Sequence, residues 1–162
     1  MKITALRNIQ VMGEHGRPMV LVKVETDAGI YGLGEAGRMF WGAAIEKAVD
    51  QLAELVVGED PFSTEKIWQH LWRRSFFPAD EVYACAISAI DIALWDMAGK
   101  IHGVPGHKHW GGRVRDTIRT YSHLGGGNME TLYETPVDNA KQVADLAQAA
   151  GAEGYNASVS YT

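Results

Sequence analysis

The spacing of hydrophobic and polar positions changes period several times along this chain, and each change marks a different kind of element. Near the N-terminus Ile3, Ala5, Ile9 and Val11 share one parity, the period of a half-buried strand. In MVLVKVE (19–25) Val20, Val22 and Val24 alternate with Met19, Leu21, Lys23 and Glu25, and the β-branched set makes the core face. Thr26-Asp27-Ala28-Gly29 reads as a tight hairpin connection. IYGLGEA then returns as a third strand, in which Gly32 and Gly34 leave so little bulk that another element or a ligand can approach closely. Residues 1–35 thus predict a three-stranded antiparallel meander.

The period then becomes helical. Ile45, Val49, Leu52 and Val56 recur at steps of three and four between Ala43 and Val57, with Gly58 placed to terminate the helix. Ser63 is positioned to cap a second helix carrying Ile67, Trp68, Leu71 and Trp72. Pro78 and Asp80 separate it from a third, over residues 81–101, whose core reads AISAIDIALWDMAGK and is apolar on nearly every side. A helix of that kind must be buried against something. Its few polar residues are Ser88, Asp91, Asp96 and Lys100. Asp96 and Lys100 have the spacing and order of a surface ion pair. Asp91, crowded by Ile87, Ile90, Leu94 and Trp95, reads as a buried carboxylate held by backbone or tryptophan donors. Gly103 and Pro105 stop the helix.

Beyond Gly111-Gly112 the pattern changes again. TIRTYSH (117–123) predicts a strand, GGGN (125–128) a loop, Pro136 to Ala150 an amphipathic helix ended by Gly151, and GYNASV another strand. Strand, helix, strand is one βαβ unit with parallel pairing. A lone unit leaves both parallel edges open, so the chain reads as cut off. The domain boundary falls near residue 113.

Composition narrows the classes. With 46% hydrophobic residues the 162-residue chain can build a core. The net charge of -5 and the absence of any basic run longer than Arg73-Arg74 argue against nucleic acid. No uninterrupted apolar run approaches about 18 residues, and no secretory leader is visible, so a soluble cytoplasmic protein away from membranes is expected. The single cysteine, Cys85, reads as a small core residue and cannot form an intramolecular disulfide. His102, His107 and His109 read as part of a polar loop rather than a metal site. GLGEAG (32–37) lies on an antiparallel strand and lacks the setting of a nucleotide-binding loop.

Four stretches together resemble the mandelate racemase and muconate lactonising enzyme branch of the enolase superfamily: VKVETDAGIYGLGEA, DPFSTEKIWQHLWR, SAIDIALWDMAGKIHGVP and GGRVRDTIRTYSH. The sugar-acid dehydratases of that branch look most similar, over Met1 to about Tyr155. The resemblance implies an α+β capping domain, residues 1–112, built of a three-stranded antiparallel meander plus helices. The first units of a truncated (β/α) barrel follow in residues 113–162; a whole barrel takes about 250 residues.

What this resemblance implies about chemistry is removal of a proton next to a carboxylate. The enediolate is stabilised by Mg²⁺ and water is then lost from a small-molecule sugar acid. The metal-binding carboxylates of such enzymes come from later barrel strands, so catalytic and metal residues are expected after Thr162 and none is assigned in this chain. A lysine is expected near the end of the second barrel strand; Val159 stands in its place. His123, at the end of the first barrel strand, is the leading substrate-binding candidate, because sites in this fold gather at the C-terminal ends of strands. Two cap loops would add specificity: His15 and Arg17 in one, Arg38 and Trp41 in the other, the arginines as paired donors to a carboxylate and the tryptophan as a shield from water. The resemblance further implies a homo-oligomer. A racemase or cycloisomerase of the same superfamily, and a non-catalytic binding or oligomerisation module, remain as alternatives.

Overall fold

The computed structural model describes residues 1–12, 18–37, 41–74, 76–77, 79–124 and 140–159. It divides into two compact units, one built from Pro18–Arg113 with the N-terminal strand, the other from Val114 onward.

The first unit holds strands β1 (Ile3–Met12), β2 (Pro18–Thr26) and β3 (Tyr31–Ala36), paired antiparallel in the order β1-β2-β3. Helices α1 (Gly42–Val56), α2 (Thr64–Arg73) and α3 (Glu81–His102) follow. Val20, Val22 and Val24 are completely buried beneath the helices, as their alternation predicts. β1 departs from the expected parity. Its register slips between Ile3 and Ala5, which pair with the consecutive residues Thr26 and Glu25. This bulge inserts one extra residue and reverses the inward face. Ile3 is therefore buried, but Leu6 and Asn8 continue the inner row opposite Val24 and Val22, while Ile9 and Val11 face outward and are more than a third exposed. Asn8 is accommodated there by donating to the Glu46 carbonyl at 3.2 Å and to Asp50 Oδ1 at 2.9 Å on α1.

The apolar third helix finds its cover within this unit. Ala86, Ile87, Ala89, Ile90, Ala93, Leu94 and Met97 are all buried, against the sheet on one side and α1 and α2 on the other. Each large aliphatic side chain so buried contributes about 1.5–3 kcal/mol. Among the described helices, α3 is also the one long and apolar enough to cross a membrane, with a mean hydropathy of 1.4 over its best window, half of it buried in this core. The contact with β3 is unusually close. A Cβ added at Gly32 would lie 1.8 Å from the Ala93 carbonyl oxygen, and one at Gly34 would lie 1.9 Å from that of Ala89. The two glycines and the two alanines thus allow backbone to meet backbone.

The helix ends show which expectations about capping hold. Asp80 caps α3 by accepting the Tyr83 N–H at 3.0 Å. At the other end Gly103 adopts the left-handed conformation, and Val104 N–H reaches the Gly99 carbonyl at 3.0 Å, a Schellman closure. Ser63 makes no side-chain cap to α2; with ψ at 47° it lacks the extended backbone of a capping residue. Asp60 organises that turn instead, accepting Phe62 N–H on Oδ1 at 3.1 Å and Ser63 N–H on its carbonyl at 2.9 Å. α1 ends at Val57, in extended backbone, one residue before Gly58.

Asp96 and Lys100 do more than pair with each other at 2.5 Å. Asp96 Oδ2 accepts the outward N–H of Leu33 at 2.8 Å, and Lys100 Nζ donates to the Tyr31 carbonyl at 3.1 Å. These groups belong to the open edge of β3, so α3 seals part of that edge with its own side chains.

In the second unit β4 (Ser122–His123) pairs parallel with β5 (Ser158–Val159), and α4 (Ala140–Ala152) lies between them in sequence. β4 is shorter than the predicted strand, since residues 117–121 are not in a ladder. GGGN and the predicted helix start at Pro136 lie outside the described residues, as does Pro78. Gly151 is helical; Gly154, at φ 97°, ends α4 by a second Schellman closure in which Tyr155 N–H reaches the Ala150 carbonyl at 3.1 Å.

Replacing Gly34 by alanine should destabilise the first unit by about 3 kcal/mol or more, because backbone rather than a flexible side chain occupies the Cβ position. Gly37→Ala, with open space around its Cβ, should change stability far less. Urea unfolding of the two variants measures the difference.

Candidate functional site

The described residues bring one pair of candidates together. β4 and β5 run parallel with Ser122 opposite Ser158 and His123 opposite Val159. His123 and Val159 are therefore neighbours at the same, C-terminal end of the strand pair, the end at which sites form in parallel α/β structures. The place where the resemblance calls for a lysine thus lies directly beside the leading substrate-binding candidate.

The register of this pair is held by contacts that sequence reading missed. Ser122 N–H donates to the Ala157 carbonyl at 3.0 Å. Arg119 grips Asn156 twice, Nε to Oδ1 at 2.7 Å and Nη2 to the backbone carbonyl at 3.0 Å. Such a two-point guanidinium contact fixes orientation as well as distance. Residues 119 and 156 are far apart in sequence and carry no motif together, so no local pattern announces them.

Of the cap candidates, His15, Arg17 and Arg38 lie outside the described residues. Trp41 is described. It precedes the first turn of α1, its carbonyl accepting the Ile45 N–H at 2.9 Å, and its side chain is 56% exposed. It therefore stands clear of the cap core.

Asp91 differs from its expected setting. It is partly buried on α3, yet no backbone or tryptophan donor reaches it among the described residues. Burial raises its pKa, with a smaller push from the negative charge of Glu65 on α2. The carboxylate is thus left without the partners that would offset its desolvation. His102 and His109 sit in an aromatic cluster, their rings 5.1 Å apart, with Phe62 against His102 and Trp95 against His109. Among the described residues no three His, Cys, Asp or Glu side chains converge to hold a metal ion. Mg²⁺ prefers an octahedral oxygen shell anchored by one or two carboxylates, and these residues do not build one.

A family profile described as the mandelate racemase / muconate lactonizing enzyme N-terminal domain matches residues 4–111. The chain belongs to this family. Its α+β unit is the N-terminal capping domain of the enolase superfamily. A D-galactonate dehydratase from Xanthomonas euvesicatoria is 43% identical over 139 residues, 85% of this chain and 35% of the relative. A D-galactonate dehydratase from Variovorax paradoxus is 36% identical over 148 residues, 87% of this chain and 38% of its own. A D-mannonate dehydratase from Novosphingobium aromaticivorans is 38% identical over 83% of this chain and 33% of its own. Among solved structures, a member of the enolase superfamily from Salmonella Typhimurium matches with a TM-score of 0.85 and 35% identity, covering 97% of this chain and 41% of that one. An enolase from Pantoea ananatis with bound D-gluconate and Mg matches with a TM-score of 0.78 and 34% identity, covering 96% and 35%. The chain thus spans well under half the length of these relatives.

The Asp91 carboxyl makes a pH prediction. Its folded pKa is raised, so the folded state holds the proton more tightly and stability falls as pH rises through the gap between the unfolded and folded values. Asp91→Asn should therefore raise the melting temperature at neutral pH. That gain should vanish below the ordinary aspartate range, where both states are protonated. Thermal melts of the two proteins from acid to neutral pH give the comparison.

Proposed function

We propose that this chain is the cap and the opening barrel strands of an enzyme that eliminates water from a sugar acid. On this reading residues 1–112 form the cap and residues 113–162 begin the (β/α) barrel. The reaction breaks a C–H bond beside the carboxylate and the C–O bond of the neighbouring hydroxyl, leaving an enol that relaxes to a 2-oxo-3-deoxy acid. The observation that carries the reading is sequence identity of 36–43% to D-galactonate dehydratases over most of the chain. The D-gluconate in the Pantoea ananatis structure belongs to the same chemical class.

The residues of this chain would select and hold the substrate. His123, at the strand end beside Val159, donates to or accepts from a substrate hydroxyl, or donates to the substrate carboxylate. Arg17 and Arg38 offer paired donors to the carboxylate, His15 adds a further polar contact, and the exposed Trp41 shields the site from water. The catalytic groups and Mg²⁺ ligands of the complete enzyme lie beyond Thr162 on this reading, and the 162-residue chain alone would be inactive. The enzyme would work in the cytoplasm as a homo-oligomer.

The test is to express the complete reading frame and assay D-galactonate, D-mannonate and D-gluconate for 2-oxo-3-deoxy products. Turnover of at least one acid is expected. His123→Ala should raise KM for that acid about tenfold or more, the loss of one hydrogen bond to a charged or polar group, with the melting temperature unchanged. Racemisation without elimination would move the protein to another branch of the superfamily. Inertness towards all these acids would end the proposal.

A further inference from the structure

We propose that Arg119 is a positioning residue of the candidate site: through its grip on Asn156 it fixes where the His123 end of β4 stands against β5. The contact joins two segments distant in sequence. Nε donates to Asn156 Oδ1 at 2.7 Å and Nη2 to the Asn156 carbonyl at 3.0 Å. One guanidinium thus holds both the side chain and the main chain of a single residue. Two donors in a rigid fork define an angle as well as a distance, which a lysine ammonium does not.

Asn156 is itself anchored. It directly follows the closure of α4, in which Tyr155 N–H reaches the Ala150 carbonyl at 3.1 Å. Arg119 therefore ties the approach to β4 to the end of α4. The clamp matters because the ladder is short. β4 and β5 have two residues each, so their main-chain bonds set the pairing but hold the angle between the strands weakly.

Arg119 precedes His123 by four residues, roughly 13 Å of extended chain. The clamp thus lies at the end of the pair opposite the candidate site, and Arg119 acts through the strand rather than on substrate. A pivot of about 5° at the clamp carries the far end through about 1 Å, enough to weaken a hydrogen bond from His123 to substrate. The geometry of the clamp is independent of the reaction; its consequence for substrate rests on the dehydratase reading.

The test uses the product of the complete reading frame and the acid that the unaltered enzyme turns over. Arg119→Lys keeps the charge but not the fork, and should raise KM about threefold or more with kcat within about twofold. Asn156→Asp keeps an acceptor oxygen in place and should behave as the unaltered enzyme. Because Arg119 acts through His123, Arg119→Lys should add nothing to the KM of His123→Ala. A scaffold role would instead lower the melting temperature and the active fraction, and so kcat, with KM unchanged. Its effect would also multiply with that of His123→Ala. Either result would overturn the proposal.

Hydrogen exchange of the same protein needs no substrate. Arg119→Lys should speed exchange in peptides spanning 122–124 and 158–159, and Asn156→Asp should not. Unchanged exchange in Arg119→Lys would overturn the proposal even if the acids are turned over. Faster exchange in a protein inert towards every acid would uphold the clamp and end the dehydratase reading alone.

Discussion

The cap depends on one contact, the direct approach of α3 to β3. With no side chain at Gly32 or Gly34 and only methyl groups at Ala89 and Ala93, the helix settles on the strand with main chain against main chain. Everything else in the first unit takes its position from that distance. The buried valines of β2 meet Ile90, Leu94 and Met97 in one core, and α1 closes over the same cluster. Close-packed interiors tolerate little change in volume, so this approach is a constraint on sequence as well as a source of stability.

The same approach explains two polar features. Because α3 lies so near the strand, Asp96 and Lys100 reach the outward Leu33 N–H and Tyr31 carbonyl of β3 and take the place of a neighbouring strand along part of that edge. Lys100 and Lys23 also lie over the Tyr31 ring, 4.6 and 4.4 Å from its centroid. The exposed Asp96–Lys100 ion pair alone would be worth little; its value lies in sealing main-chain groups that would otherwise recruit another strand. Asp91 on the same helix has the opposite fate. It is drawn partly out of water with no donor beside it among the described residues, and burial accordingly weakens its acidity.

The candidate site was legible in part. A strand ending in Ser122-His123 and a second opening after Gly154 were visible as a βαβ pattern, and parallel pairing followed from that order alone. That His123 stands beside Val159 is a matter of register, which short strands with little alternation do not specify. Arg119 and Asn156 help to set it through contacts that no periodicity reveals. The exposure of Trp41 was equally unreadable, because an aromatic residue before a helix serves a core or a surface with the same local sequence.

By itself the sequence determined the elements whose information is local: the alternating valines of β2, the hairpin at Thr26–Gly29, the helical repeat of α1 and the Gly103 stop. It also marked Gly32 and Gly34 as sites of close approach, since a missing side chain is visible without coordinates. Tertiary structure decided what depends on partners distant along the chain. The bulge after Ile3 reversed the inward face of β1, turning Ile9 and Val11 outward, because the register with β2 outweighed the strand's own alternation. Gly154 replaced Gly151 as the end of α4 because a helix stops where its last carbonyls find donors, and only the folded turn supplies them.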